Sequence, residues 1–247
     1  RIVYGWKRYW RRQGENSRDP DRVSLFEQAS NVPRDTATLG QYANTPCLVL
    51  LGAPGMGKSH ELNRAKENLE RQVGHADDRV MFVDLASCDG SEWLERTVFD
   101  TEPFRSWSQG KCHLHLFLDS LDTGRLHTSA LAALLADRLK ELPSVDGLYF
   151  RIACRTVEWP PVLAECLLRK WGPEGVATIE LMPLQKRDVI ETADANGLDG
   201  ERFLEQIEQR QALPLALKPI TLDFLLKTFQ RDASLPTSQR ELYEEGC

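Results

Sequence analysis

Residues 47–62, CLVLLGAPGMGKSHEL, constrain this chain more than any other stretch: a short apolar run, a glycine-rich turn, a lysine and the opening of a helical pattern follow one another without a gap. Gly52, Ala53, Pro54, Gly55, Met56, Gly57, Lys58 and Ser59 match GxxxxGK[ST] at every fixed position. Glycines let backbone N–H groups turn toward phosphate oxygens with no Cβ in the way, and the helix starting near Lys58 offers its positive end. Lys58 adds a point charge, the Ser59 hydroxyl is a Mg2+ ligand, and His60 completes the set of candidate nucleotide contacts. An ordinary glycine turn is the plain alternative. It needs neither the apolar strand before nor the amphipathic helix after, and both are present.

That strand is one of five apolar runs, at 47–51, 79–85, 113–118, 148–154 and 177–181. They alternate with helical patterns, which predicts an α/β fold with a parallel sheet covered by helices. Leu62, Ala65, Leu69 and Val73 share one helical face that stops at Gly74, and a second helix from about Ser129 turns Leu131, Leu134, Leu135, Leu139 and Leu142 inward until Pro143. After Pro183 three helical patterns, near 185–196, 200–211 and 217–230, occur without a strand. The expected organisation is a lead-in over 1–43, a phosphate-binding α/β domain over 44–183 and a helical lid over 184–247.

A Mg2+ site of this kind needs a carboxylate at the end of a neighbouring strand. CHLHLFLDSLD offers Asp119 as the metal ligand and Asp122, three residues on, as a group to polarise an attacking water. Capping of a strand and of a turn are the plain alternatives, and Asp84, which ends MFVDL, is the second choice of metal ligand. Arg155, at the carboxyl end of LYFRIAC, is placed to touch a γ-phosphate, with a surface ion pair as its alternative. Cys112, His113 and His115 are close in sequence, but adjacent strand residues point to opposite faces and no second cluster completes a tetrahedral set. A buried thiol and packed imidazoles are expected instead.

A chain of 247 residues can bury a full core, and its formal charge of −6 argues against general coating of nucleic acid. The opening RIVYGWKRYWRR interleaves cations with Tyr4, Trp6, Tyr9 and Trp10; a docked lead-in strand or linker is favoured over a single-strand nucleic-acid platform. The six cysteines contain no CxxC pair, the habit of a reducing, cytoplasmic compartment, and no run reaches the roughly 18 apolar residues of a membrane span. The start at Arg1 and the helical pattern at the other end suggest a piece of something longer.

No [NT]KxD run is present, which favours adenine over guanine, and no LSGGQ-like run is present, which argues against a transporter subunit. The ordered set GAPGMGKS, LFLDSLD, IACRTVEW, IELMPL and ALPLALKP, closed by LPTSQRELYEEGC, resembles the STAND NTPases, and within them the NACHT-like ATPases of bacterial antiviral defence proteins, relatives of animal innate immune receptors. The resemblance spans about residue 44 to the end. It implies an AAA+/STAND-like P-loop NTPase fold, a three-layer sandwich with a five-stranded parallel sheet in the order 5-1-4-3-2 and a helical lid. It also implies ATP/ADP and Mg2+ as cofactors, Asp119 as the Walker B ligand, Arg155 as a sensor and Pro214 of LPLAL as a residue packing near adenine. Ala212 stands where the related motif often has glycine, and Thr123 stands where many relatives have glutamate. The second difference favours a slow ATPase switch over a motor. Self-association, a trigger such as a viral protein bound by a region outside this chain, and no membrane partner follow from the same resemblance. A turnover enzyme, either a metabolite kinase or a nucleic-acid-stimulated ATPase, and a module that holds nucleotide structurally are the competing classes.

Overall fold

Every residue of the strand before the glycine-rich loop, Cys47–Leu51, is buried. Such a strand reads as a continuous apolar run because helices cover both faces of a parallel sheet. The computed structural model describes residues 7–13, 36–72, 78–123, 126–232 and 234–236. Its strands are β1 (Trp10–Arg12), β2 (Thr36–Ala37), β3 (Cys47–Leu51), β4 (Asp78–Asp84), β5 (His113–Asp119), β6 (Leu148–Cys154) and β7 (Val176–Leu181). They form one seven-stranded sheet in the order β2-β1-β7-β3-β6-β5-β4.

The expectation of five strands is therefore corrected to seven. The parallel pairs β4/β5, β5/β6, β3/β6 and β3/β7 make up the expected five-strand order. The two additional strands come from the lead-in and pair antiparallel with each other, Trp10 opposite Ala37. Three cation-rich residues and two small ones show no period-two pattern of their own; their pairing is a long-range event that local sequence does not announce.

Contacts divide the chain into a sheet unit, 39–53 with 58–180, and a second unit drawn from 1–38, 54–57 and 181–247. In the sheet unit, α1 (Lys58–Gln72) packs on β4, β5 and β6. Alternate residues Val49, Leu51, Leu116, Leu118, Phe150 and Ile152 share a core with Leu131, Leu135 and Leu139 of α4 (Thr128–Glu141) and Leu163 and Leu167 of α5 (Pro161–Trp171). Each such side chain contributes about 1.5–3 kcal/mol by leaving water. Between β4 and β5 the chain forms α2 (Ser91–Leu94), a π-helical turn over Glu95–Phe99 and α3 (Glu102–Ser108), none of which the periodicity predicts. Thr101 caps α3 by accepting from the Phe104 amide, and the Trp107 indole donates to the Asp146 carbonyl at 2.8 Å.

The second unit holds α6 (Lys186–Ala195), α7 (Gly200–Gln209), the short α8 (Leu213–Ala216) and α9 (Pro219–Asp232). Leu184, Val189, Phe203, Ile207, Leu222, Leu225 and Phe229 form its core, with the Phe203 and Phe229 rings edge to face at 5.1 Å between centroids. Asp199 caps α7 through the Arg202 amide, and Gln185 with Asp188 closes a reciprocal capping box on α6. The predicted stop at Gly74, Tyr4 and Trp6 of the opening and the closing stretch from 237 lie outside the described residues. Among the described residues no helix is long and apolar enough to cross a membrane.

Candidate functional site

The glycine-rich loop joins the carboxyl end of β3 to the first turn of α1, so its amides precede a helix start. Gly55 at φ 76° and Gly57 at φ 93° occupy backbone conformations that L side chains rarely adopt. A Cβ on Gly55 would also lie 2.6 Å from Cγ2 of the exposed Ile220, which would have to move aside. Met56 is buried, anchoring the loop, whereas Pro54 and His60 are exposed.

Lys58 folds back over this loop. Its Nζ donates to the carbonyls of Gly52 at 2.7 Å and Ala53 at 3.3 Å. Burial pulls its ammonium below the usual lysine range, and the Asp122 carboxylate is the strongest opposing influence, ahead of Asp119. A cation held by carbonyls, with part of its hydration removed, gains by exchanging those contacts for phosphate oxygens.

β5 carries Asp119 to the same end of the sheet. Its carboxylate is buried and accepts a hydrogen bond from the Ser120 amide at 2.9 Å, with the Ser59 hydroxyl near enough to influence it. Burial holds this carboxyl above the usual range, while the Ser59 hydroxyl opposes that shift. Ser59 and Asp119 are thus neighbours, as two ligands of one small hard cation must be. Among the described residues no group of three His, Cys, Asp or Glu side chains converges on a cation position. The donor set fits Mg2+ that completes its shell with phosphate and water oxygens. Asp84, directly across from Asp119 in the β4/β5 register, instead accepts from the Ala86 amide at 3.0 Å and caps the turn Leu85–Ser87.

After Asp119 the chain turns sharply. Ser120 has φ 61°, and the Leu121 amide donates to the Ala153 carbonyl of β6 at 3.3 Å, which lays the turn beside the end of that strand. Asp122 there accepts from the Arg155 amide at 2.9 Å, and its Oδ2 is ion-paired with Arg155 Nε at 2.7 Å. Cys154, wholly buried, also bonds this carboxylate, and burial pushes its thiol up to about 12. Next along the chain, Thr156 donates its hydroxyl to Glu180 at 2.8 Å.

The sheet unit therefore brings together Lys58, Ser59, Asp119, Asp122 and Arg155. Pro214 belongs to the other unit, exposed in the first turn of α8. His115 is buried and stacks on Tyr149 at 4.5 Å, and the exposed His113 meets Asp78 at 3.2 Å. Neither imidazole lies with Cys112 in a ligand set among the described residues. What sequence reasoning missed is the partner: the ion pair held open as the alternative for Arg155 is made with Asp122, and their separation of 33 positions gives no local signal.

A P-loop on a mainly parallel α/β sheet, with an acid at the end of a neighbouring strand, is the class that fold and site define. A scan against protein-family models and a search of curated proteins each match nothing. Among solved structures, the chain is similar to domain III of the Thermotoga maritima replication initiation protein DnaA, with TM-score 0.44 and 15% identity over 82% of this chain and 84% of that one. It is also similar to Saccharomyces cerevisiae RIF2, with TM-score 0.41 and 12% identity over 91% of this chain and 90% of that one.

Proposed function

We propose that this chain is the ATP-binding, slowly hydrolysing switch domain of a NACHT-like STAND NTPase, whose nucleotide state controls self-association in antiviral defence. The nucleotide half of this reading rests on one observation: the Lys58 ammonium lies on the loop carbonyls while Asp119 ends β5 with Ser59 beside it. The STAND half rests on the ordered motifs from GAPGMGKS to ALPLALKP.

The loop amides and Lys58 would bind the phosphates, and Ser59 with Asp119 would hold Mg2+. The bound cation supplies neutralisation of phosphate charge. Burial makes the bare Asp119 carboxylate unfavourable, so a cation there relieves a cost already built into the site. Thr123, exposed beside Asp122, offers no carboxylate to orient water, which supports slow turnover.

Steady-state ATP hydrolysis, measured against protein concentration and with single-stranded nucleic acid or small acceptors added, tests the reading. Slow turnover that rises with self-association is expected. Fast turnover stimulated by nucleic acid or an acceptor would make the chain a turnover enzyme, and binding with no hydrolysis would leave it a structural holder of nucleotide.

A further inference from the structure

We infer that Asp122 is a positioning residue that clamps Arg155, presenting its two terminal guanidinium nitrogens for a γ-phosphate, and does not itself polarise the attacking water. This rests on the nucleotide-binding reading above. Both carboxylate oxygens are engaged: Oδ1 accepts the Arg155 amide at 2.9 Å and Oδ2 is ion-paired with Nε at 2.7 Å. The carboxylate is 5% exposed, whereas the Arg155 side chain is 37% exposed. A base for water needs a free lone pair facing solvent, and Asp122 has its oxygens turned to donors of its own chain. Holding a guanidinium by Nε, on the other hand, leaves Nη1 and Nη2 as a fork that matches phosphate oxygens.

The backbone is arranged for this clamp. Ser120 adopts φ 61°, a conformation a serine enters only when its surroundings demand it, and the Leu121 amide ties the turn to Ala153, one residue before Cys154 and two before Arg155. The same carboxylate is a counter-charge to two cations. Lys58 feels Asp122 as its strongest favourable charge and Arg155 as an unfavourable one, so Asp122 is the counter-ion that lets both remain near the loop. An asparagine has a single acceptor oxygen and no charge, and cannot perform both tasks.

Two measurements test the proposal. The first is calorimetric affinity for Mg2+·ATP and Mg2+·ADP in the wild type, Asp122→Asn, Arg155→Ala and the double variant. A bidentate charge-assisted contact predicts a wild-type preference for ATP of about tenfold or more. That ratio should fall toward unity in Asp122→Asn and in Arg155→Ala, with no further fall in the double variant. The ratio is the readout because removing a negative charge also shifts both affinities together. An unchanged ratio in Asp122→Asn, with only turnover reduced, overturns the proposal and returns Asp122 to water. The second is the NMR cross-peak of Arg155 Nε–Hε in nucleotide-free protein, which should be protected from exchange in the wild type and lose protection in Asp122→Asn. An unprotected wild-type signal overturns the clamp. Absence of nucleotide binding by the wild type overturns the functional reading and the phosphate half of this proposal, and the Nε–Hε signal still decides the clamp.

Discussion

β6 carries two arginines four residues apart, and the structure uses them in opposite ways. Arg151, near the amino end of the strand, is 6% exposed and donates to the carbonyls of Ala43 at 2.7 Å, Pro46 at 3.1 Å and Phe150 at 3.4 Å, while its guanidinium lies 5.6 Å from the centroid of Tyr149. Burial pulls it down to about 10. Arg155, just beyond the carboxyl end, has one carboxylate partner and a guanidinium open to solvent. The first arginine is consumed by its own chain: it fastens the turn that leads into β3 and so fixes where the phosphate loop begins. The second is only half consumed. A cation whose hydrogen-bonding capacity is used internally is structural, and one held at a single edge beside a P-loop is available to a ligand.

Replacement at the two positions sharpens that contrast most. Arg151→Ala should cost about 3 kcal/mol in chemical denaturation, since it opens a cavity and leaves the Ala43 carbonyl without its partner; the relief of a buried charge offsets part of the loss. Arg155→Ala should cost less than about 1 kcal/mol, as expected for a partly exposed ion pair. Equal losses would erase the distinction between them.

Acidification probes the amino end of the sheet separately. His115 stacks on Tyr149 beside Arg151, and burial, with help from the Arg151 charge, lowers its imidazole to about 4. The folded protein therefore binds fewer protons than the unfolded chain between about pH 6.5 and 4. Stability contributed by the neutral ring is full above 6.5 and is lost as pH falls through that window, by at most about 3 kcal/mol. Urea titrations across that range should show the loss in the wild type and a smaller one in His115→Gln.

At the carboxyl end the sign reverses. Asp119 has its folded-state carboxyl raised by burial, so the folded protein favours the protonated form, and stability falls as pH rises from the ordinary carboxylate value through the raised one. At neutral pH the bare carboxylate is a cost. Asp119→Asn should gain about 1 kcal/mol in the nucleotide-free protein while losing Mg2+-dependent hydrolysis, the trade of stability against function expected of a binding site. A destabilised variant would mean that Asp119 is structural. Smaller still, Ser120→Gly should relieve the positive φ and gain about 0.5 kcal/mol by thermal or urea unfolding.

Much of this was legible because it is local. The five parallel strands announced themselves as apolar runs bounded by turn residues, and the place of Asp119 at the end of β5 followed from the apolar run before it. β1 falls in the opening read as a docked lead-in strand or linker, but β2 and the pairing of the two were not legible, since such short segments become strands only by pairing with distant chain. α3 and α5 carry signals that were overlooked: Thr101 as an N-cap, and Pro161 in the first turn ahead of Leu163, Cys166 and Leu167. The clamp between Asp122 and Arg155 depends on how one turn lies against a neighbouring strand. No spacing encodes that.

The central claim is that the glycine-rich loop and Lys58 bind the phosphates of a nucleotide. Isothermal titration of Mg2+·ATP into the wild type and into Lys58→Ala, with folding of both verified by circular dichroism, tests it directly. Saturable binding by the wild type and a loss of about a hundredfold or more in the variant are predicted, because a buried cation facing phosphate is worth roughly 3 kcal/mol. Equal affinity in the two proteins, or no binding by the wild type, would contradict it.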